Sequence, residues 1–254
     1  MRQHTAPGRT ESSSALSQRI EQASLNAWPA LHQVLHDGCV LRFCNGFTRR
    51  ANSVSVLHPG TRPIEARIDF CEQLYSRAHL RTIFRVTSTC PQPELATRLS
   101  ARGYRREDPT HVLTVDAERH ADAPLPESLA RDPWLDAYGA LSGSPPRAQQ
   151  LHSLLLQAIR LDCLFAVLMA EDAIAACGLA VVEADLVGIF DVVTAPAHRN
   201  RGLGTQLVAG LLAWGAGQGA TTGYLQVVQS NATALRLYDR LGFRHLHDYW
   251  YLCA

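Results

Sequence analysis

Along the second half of the chain, short apolar runs alternate with segments whose apolar residues recur at helical spacing. "LFAVLMAED", "AIAACGLAVVEAD", "LVGIFDVVTA" and "TGYLQVVQS" have strand length and end in turn residues. "PPRAQQLHSLLLQAI" carries Leu151, Leu154, Leu155 and Ile159 at helical spacing, and a second stripe starts at about Leu203. This order predicts an α/β (α+β) fold in which helices flank a mixed central sheet.

Both halves of the chain end in the same way. "ELATRLSARGYRREDPTHVLTV" and "TALRLYDRLGFRHLHDYWYL" each predict a short helix, a glycine with an aromatic residue, and a strand. Gly103 and Gly242 stand where a helix C-terminus favours a left-handed residue. "DAERHADAPLPESLARDP" has the composition of a linker. We therefore predict a flexible leader at 1–15, two similar halves at 16–118 and 134–254, and a linker at 119–133.

The composition of the chain argues against several classes of protein. The 254 residues are 46% hydrophobic and 19% charged with a net charge of +1, which predicts a large core and no nucleic-acid partner. The seven cysteines are scattered singly without C-x-x-C, which favours buried thiols in a reducing compartment and predicts no metal site. No apolar run reaches the ~18–20 residues of a membrane span, and the polar start does not resemble a secretory signal. We expect a cytoplasmic protein without a membrane partner.

The segment "VVTAPAHRNRGLGTQLVAGLLAWG" carries the clearest chemistry. An apolar strand ends in a basic glycine turn, with Arg199, Arg201, Gly202 and Gly204 directly before a helix. Unpaired amides and the dipole at a helix N-terminus favour an anion, so the turn predicts a phosphate cradle. It lacks the lysine of a P-loop and the third glycine of a dinucleotide fingerprint. The alternative is a structural turn with solvated arginines.

This turn and the following "GYLQVVQSNATALRLYDRLGFRH" resemble the GNAT superfamily of acetyl-CoA-dependent N-acetyltransferases. The family's [QR]-x-x-G-x-[GA] corresponds to Arg199, Gly202 and Gly204. Its N-x-x-A-x-x-L-Y-x-x-x-G-F is matched throughout, by Asn231, Ala234, Leu237, Tyr238, Gly242 and Phe243. The two motifs span residues 187–243. The resemblance implies a mostly antiparallel sheet, acetyl-CoA as co-substrate, an active half at 134–254 and a degenerate GNAT-like half at 16–118 that lacks the cradle.

The resemblance also implies residue roles. The backbone of Val192, Val193 and Thr194 would bind the pantetheine arm like an added strand. Asn231 would reach the same arm, and Tyr238 would point at the thioester sulfur as a general acid. The pyrophosphate would be held by backbone amides, with Arg199 nearby: those of Arg201, Gly202, Leu203, Gly204 and Thr205.

Acetyl transfer to an amine requires the uncharged amine. For an alkyl amine of pKa about 10.4, deprotonation at pH 7 costs roughly 4.6 kcal/mol, whereas protonating a thiolate of pKa about 8.5 is worth roughly 2 kcal/mol. The general base therefore has the heavier task. Asp191 is the acid inside the strand before the cradle, in "GIFDVV". It is our candidate base, and the alternative is an Asp paired with a neighbouring arginine.

Two other segments allow a structural or a functional interpretation. In "FRHLHDYWYLCA", alternation places His245, His247, Tyr249 and Tyr251 on one face of a strand, which packs on the core or forms a wall of the acceptor pocket. Neither histidine has a second metal ligand at a recognisable spacing. In the first half we expect "FTRRAN" to complete the sheet. The alternative is that Arg49, Arg50 and Asn52 recognise an acidic group of the substrate.

The sequence therefore predicts an N-acetyltransferase for the primary amine of a small molecule or amino acid. An acetyltransferase for proteins or peptides, and an acyl-CoA-binding protein without catalytic activity, remain alternatives. A monomer and a homodimer are both compatible with two fused halves.

Overall fold

Eleven strands form one continuous sheet in the computed structural model, which describes residues 12–254. Residues 1–11 of the predicted leader lie outside the described part, and the remainder is not a leader, because helix α1 begins at Ser13 with Ser12 as its N-cap. The strands are β1 (His32–His36), β2 (Cys39–Phe43), β3 (Val54–Val56), β4 (Ile83–Thr87), β5 (Arg105–Asp116), β6 (Glu127–Ser128), β7 (Asp162–Ala170), β8 (Ala173–Glu183), β9 (Leu186–Thr194), β10 (Thr222–Val228) and β11 (Arg244–Cys253).

Seven α-helices flank this sheet in the described part of the chain. They are α1 (Ser13–Ala27), α2 (Ile64–Arg77), α3 (Glu94–Ala101), α4 (Arg131–Ser142), α5 (Pro146–Ala158), α6 (Leu203–Gly217) and α7 (Ala232–Arg240). The fold confirms the predicted mixed, mostly antiparallel α/β class. Over residues 12–254, no helix has the length and apolarity needed to cross a membrane.

The centre of the sheet interleaves strands from opposite ends of the chain. The order is β1-β2-β3-β4-β11-β5-β10-β9-β8-β7-β6. The strand β11 lies between β4 and β5, and β5 lies between β11 and β10, all antiparallel. Strand β5 follows the turn at Gly103 and β11 follows the turn at Gly242, so the two strands that end the predicted halves lie side by side.

The glycines at these turns have the predicted left-handed conformation. Gly103 has φ +90° and Gly242 has φ +84°. In both turns the amide of the following aromatic residue donates to a carbonyl five residues earlier, from Tyr104 to Leu99 and from Phe243 to Tyr238. The two helix ends α3 and α7 are therefore capped alike.

Two pairs of neighbouring strands are parallel, β3 with β4 and β9 with β10. Strands β9 and β10 pair only from Leu186 opposite Thr222 to Ile189 opposite Leu225, and then separate. The backbones beyond these residues thus leave a gap in the sheet, which is where the candidate site lies.

The two faces of the sheet at this gap carry different helices. On one face, Phe190 and Tyr224 pack in a core with residues of α1, α4 and α5, including Trp28 and Trp134. On the other face, Ile189 and Leu225 pack with α6 and α7. Because consecutive strand residues point to opposite faces, the gap is open to both helical layers.

Candidate active site

A cavity of about 610 Å³ occupies the gap between β9 and β10. It brings together four residues predicted from the sequence, namely Asp191, Val192, Asn231 and Tyr238. The other residues predicted to bind the cofactor lie outside this lining, along the end of β9 and the start of α6. The rest of the lining comes from β9, β10, β11, α7, the start of β5 and the loop before β3.

Strand β9 carries a bulge at the cavity. Leu179 of β8 is opposite Phe190 and Cys177 is opposite Val193, so Asp191 and Val192 together face Gly178. Asp191 has φ +51°, a left-handed value that is unfavourable for most residues and that Asp tolerates better than most. The bulge turns this carboxylate out of the regular strand pattern and into the cavity wall.

Asp191 is paired with a histidine of α5. Nε2 of His152 lies 2.8 Å from Oδ2 of Asp191, and the two side chains are 4% and 8% exposed. The pair is close, but neither atom makes a well-aligned hydrogen bond within residues 12–254. The phenol of Tyr138 also hydrogen-bonds to this carboxylate, which lines the cavity. The alternative of an Asp paired with an arginine is wrong.

Aromatic rings enclose His152. The ring centroids of Trp28, Phe47 and Tyr138 lie 5.1–5.5 Å from that of His152. Burial, together with the nearby Asp191 carboxylate, raises the pKa of the Tyr138 phenol well above its usual range. The Asp191–His152 pair thus sits in an apolar surrounding that excludes bulk water from its far side.

The end of β9 presents its backbone to the gap at alternate residues. The amide of Ala195 donates to Ala175 of β8, and Val193 is opposite Cys177, so the polar groups of these β9 residues point toward β8. The backbone amide and carbonyl of Thr194 point away from β8, toward the gap. Its carbonyl accepts a bond of 3.3 Å from Nε of Arg199. Of the three residues predicted to pair with a ligand, Thr194 and the bulged Val192 thus face the gap, whereas Val193 faces β8.

Helix α6 begins at the predicted residue. Gly202 is its N-cap with φ +83°, and no side chain caps the first turn. A Cβ added at Gly202 would meet no atom within 4 Å, so the space before the first amides is open. Arg201 is exposed, 3.9 Å from Glu171. The unpaired amides and the open space fit a bound diphosphate.

Helix α7 supplies the last two predicted side chains. Oδ1 of Asn231 accepts a bond of 3.1 Å from the amide of Ala234, so Asn231 is the N-cap of α7, and the amide nitrogen of its side chain has no partner within residues 12–254. Tyr238 is 9% exposed, and its ring packs edge-on against Phe243 at 5.6 Å. Burial raises the pKa of its phenol to about 12. This phenol is thus a protonated hydrogen-bond donor at neutral pH.

The loop before β3 contributes Thr48, Arg49 and Arg50 to the wall of the cavity. This part of the first half therefore does more than complete the sheet, contrary to our first expectation. Asn52 does not line the cavity. Its side chain accepts from the amides of Cys44 and Gly46 and donates to two carbonyls of the same loop, and so fixes the loop's shape.

The last strand, β11, does not follow the predicted alternation. A bulge separates His245 from His247 in the pairing with β5, so the two histidines do not share a face. Tyr249 and Tyr251 line the cavity, whereas His247 bonds to Glu21 of α1 at 2.8 Å. The predicted pocket wall thus consists of the two tyrosines alone.

His245 belongs to a different cluster. Its Nε2 lies 2.8 Å from Oδ1 of Asp248, and Nδ1 of His111 lies 2.6 Å from the same oxygen. The three ligand atoms lie within 4.8 Å of one another, which is a spacing that a metal ion can bridge. His111 comes from β5, so no spacing within the sequence indicated the group. Both imidazoles already bond to the carboxylate, and the cluster is satisfied as it stands.

The fold and the site define an N-acetyltransferase of the GNAT superfamily. The chain belongs to the family described as "Probable histone acetyltransferase Rv0428c C-terminal", whose model matches residues 15–252. It is 25% identical to an uncharacterized N-acetyltransferase, YobR, of Bacillus subtilis over 92% of this chain and 96% of the relative. It is 29% identical to the probable histone acetyltransferase Rv0428c of Mycobacterium tuberculosis over 98% and 76%.

A solved structure of similar fold is a GCN5-related N-acetyltransferase from Kribbella flavida. It has a TM-score of 0.70 and 19% identity, and the match covers 94% of this chain and 95% of that chain. At this identity the likeness describes the fold alone. It covers both predicted halves together, so the arrangement of the whole sheet recurs in another protein.

Proposed function

We propose that this N-acetyltransferase transfers an acetyl group directly from acetyl-CoA to the primary amine of a small molecule or amino acid. One observation carries the proposal: Asp191 and Tyr238 line the same cavity and approach it from opposite helical layers of the sheet. The thioester would lie near Tyr238 on the α7 side of the sheet, and the amine would lie near Asp191 on the α1 side. The two would meet in the gap between β9 and β10.

GNAT proteins use acetyl-CoA as co-substrate, which supplies the acetyl group as an activated thioester. The residues of this chain fit that molecule. The uncapped amides of α6, from Gly202 to Thr205, would hold the diphosphate with Arg201, and Arg199 would hold the end of β9 through its bond to Thr194. The outward backbone groups of Thr194 and Val192, and the free side-chain amide of Asn231, would position the arm.

Asp191 is the proposed general base. Its buried carboxylate lines the cavity and lies beside His152 and Tyr138. It would accept the proton of an ammonium group directly or through a water molecule. An alkyl amine needs about 4.6 kcal/mol for this step at pH 7, whereas an α-amine of pKa about 8 needs only about 1.4 kcal/mol.

Tyr238 is the proposed donor to the departing sulfur. Its pKa of about 12 makes the phenol a weaker acid than a thiol of pKa about 8.5. Complete proton transfer would therefore be uphill by roughly 5 kcal/mol. A hydrogen bond from the phenol to the sulfur lowers the energy of the developing thiolate without that cost. We therefore replace the predicted general acid by a hydrogen-bond donor.

The first-half loop supports a small acceptor. Thr48, Arg49 and Arg50 line the cavity together with residues of β9, so both halves of the chain contribute to its wall. A protein acceptor is the second candidate function. It is favoured by the matching family and by the mycobacterial relative, because both are described as probable histone acetyltransferases. A panel of free amines, amino acids and peptides with acetyl-CoA separates the two.

Calorimetric titration with acetyl-CoA tests the cofactor site. Gly202→Glu places a carboxylate before the α6 amides, and we expect it to abolish micromolar binding. Gly219→Glu is the matched control, since Gly219 follows the other end of α6 with φ +94° and equally open surroundings. Absence of binding to the wild-type protein, or equal binding by both variants, would refute the proposed cradle.

A further inference from the structure

Arg50 is a cation without a counter-ion in the wall of the cavity. Its guanidinium lies 4.5 Å from the ring centroid of Trp28 and 5.9 Å from that of Phe190. Within residues 12–254, no carboxylate lies within 4.0 Å of it. Its neighbour Arg49 lines the same cavity but is ion-paired with Glu107 and Asp108. Arg50 is thus the arginine of this wall that is free to bind an anion.

The loop holds Arg50 in place. Oγ1 of Thr48 accepts from Nε1 of Trp28 and from the amide of Ala51. Thr48 has φ +54°, which is strongly disfavoured for a β-branched residue. The carbonyl of Arg50 also accepts from the buried guanidinium of Arg42 at 2.6 Å. Strain of this kind persists only where surrounding contacts fix it, and it is frequent at ligand sites.

Arg50 lies on the side of the sheet where the acceptor would bind. Trp28 and Phe190 belong to the core that includes α1, α4 and α5, opposite the layer of α6 and α7. Asp191, the proposed base, is the residue next to Phe190. The acceptor side thus presents the unpaired guanidinium of Arg50 and the carboxylate of Asp191, both next to Phe190. These two charges complement a molecule that carries both an amine and an anionic group.

We propose that Arg50 binds a carboxylate of the acceptor, so that the acceptor is a free amino acid rather than a simple amine or an internal protein lysine. This inference rests on the proposed function. A guanidinium donates two parallel hydrogen bonds to a carboxylate, which suits recognition in a fixed orientation. A carboxylate suits the site better than a phosphate, because two carboxylates, Asp108 and Asp191, already line the cavity and would repel a second negative charge.

Two measurements test the inference. The first is calorimetric titration with the product forms N-acetylglycine, N-acetylalanine and N-acetylphenylalanine, each beside its primary amide. The second is turnover of acetyl-CoA with the matching amino acids, their amides and the decarboxylated amines. Both use wild type, Arg50→Met and Arg50→Lys. Arg106→Met is the control, because Arg106 is exposed and also lies over a ring, that of Trp250 at 4.1 Å.

We expect the best carboxylate to bind about 10- to 100-fold more tightly than its amide, which is the size of a charge-assisted hydrogen bond. Arg50→Met should remove this preference, Arg50→Lys should restore part of it, and Arg106→Met should keep it. Equal binding of acids and amides, or a preference that survives Arg50→Met, would overturn the inference. Absence of turnover with every amine would refute the proposed function, while the titration still decides the role of Arg50.

Discussion

Nε2 of His152 and Oδ2 of Asp191 lie 2.8 Å apart behind the wall of the cavity, although they are 39 positions apart in the sequence. The bulge in β9 places the carboxylate beside α5, and aromatic rings surround the imidazole of His152. The carboxylate thus has a buried partner on one side and the open cavity on the other.

Asp191→Asn is expected to lower kcat/KM at pH 7 by about 100- to 10,000-fold for an alkyl amine, because the variant cannot accept the proton. The loss should shrink by about tenfold or more for an amine of pKa about 8, which is already partly neutral. Steady-state kinetics with both kinds of amine measures this. Asp185→Asn is the control, since Asp185 is paired with Arg19 in the turn before β9. An equal loss for both amines would contradict the role of a base.

Tyr238→Phe should lower kcat about 10- to 100-fold and leave the Kd of acetyl-CoA unchanged within about twofold, because only the bond to the leaving sulfur is lost. Steady-state kinetics measures kcat, and calorimetric titration measures the Kd of acetyl-CoA. Tyr104→Phe is the matched control, since Tyr104 bonds to Glu72 away from the cavity. Wild-type activity in Tyr238→Phe would exclude the proposed donor.

Acid should destabilise the protein through Glu21 of α1. Burial alone would raise the pKa of this carboxyl, but Arg85 and His247 outweigh it and lower the pKa from 4.5 to about 2. A lowered folded-state pKa adds stability above pH 4.5 that is lost as the pH falls toward 2, by about 3 kcal/mol in total.

Urea unfolding between pH 7 and pH 2 measures this contribution. Glu21→Gln should destabilise the protein at pH 7, because it leaves the buried Arg85 without its partner, and should flatten the pH dependence of unfolding below pH 4.5. Glu65→Gln, at a half-exposed pair on α2, is the control. An unchanged slope in Glu21→Gln would show that another group governs acid stability.

The second predicted half should not fold alone. Strand β11 pairs only with β4 and β5, both from the first half, and β10 would lose its pairing with β5. A fragment of residues 119–254 is expected to be insoluble or unfolded by circular dichroism, and co-expression with residues 1–118 should restore it. A folded, acetyl-CoA-binding fragment would show that the shared strands are dispensable.

Local patterns predicted local features correctly. The start of α6 at Leu203 and the left-handed glycines Gly103 and Gly242 each depend on a few consecutive residues. The same analysis placed Leu154 on the buried stripe of α5, but it is 43% exposed, while His152 is 3% exposed. The apolar spacing alone gave no sign that His152 is buried, because its partners, Asp191 and the aromatic rings, come from other elements.

Long-range pairings gave no signal in the sequence. The insertion of β11 between β4 and β5 joins strands more than 120 residues apart, and each strand alone has an ordinary pattern. The bulge that separates His245 from His247 depends on register with β5, so simple alternation placed the two on one face. The position of Arg50 likewise depends on the fold, since its loop meets β9 only across the finished sheet.

The interleaved order of the central strands also bears on how the protein is synthesised. A ribosome releases β4 and β5 well before it makes β11, and until then the edges that β11 will occupy remain open to other chains. The gap between β9 and β10 also lacks Tyr249 and Tyr251 at this stage. Folding therefore depends on contacts distant in sequence, which are slow to form, and we expect the chain to be prone to self-association until β11 is inserted.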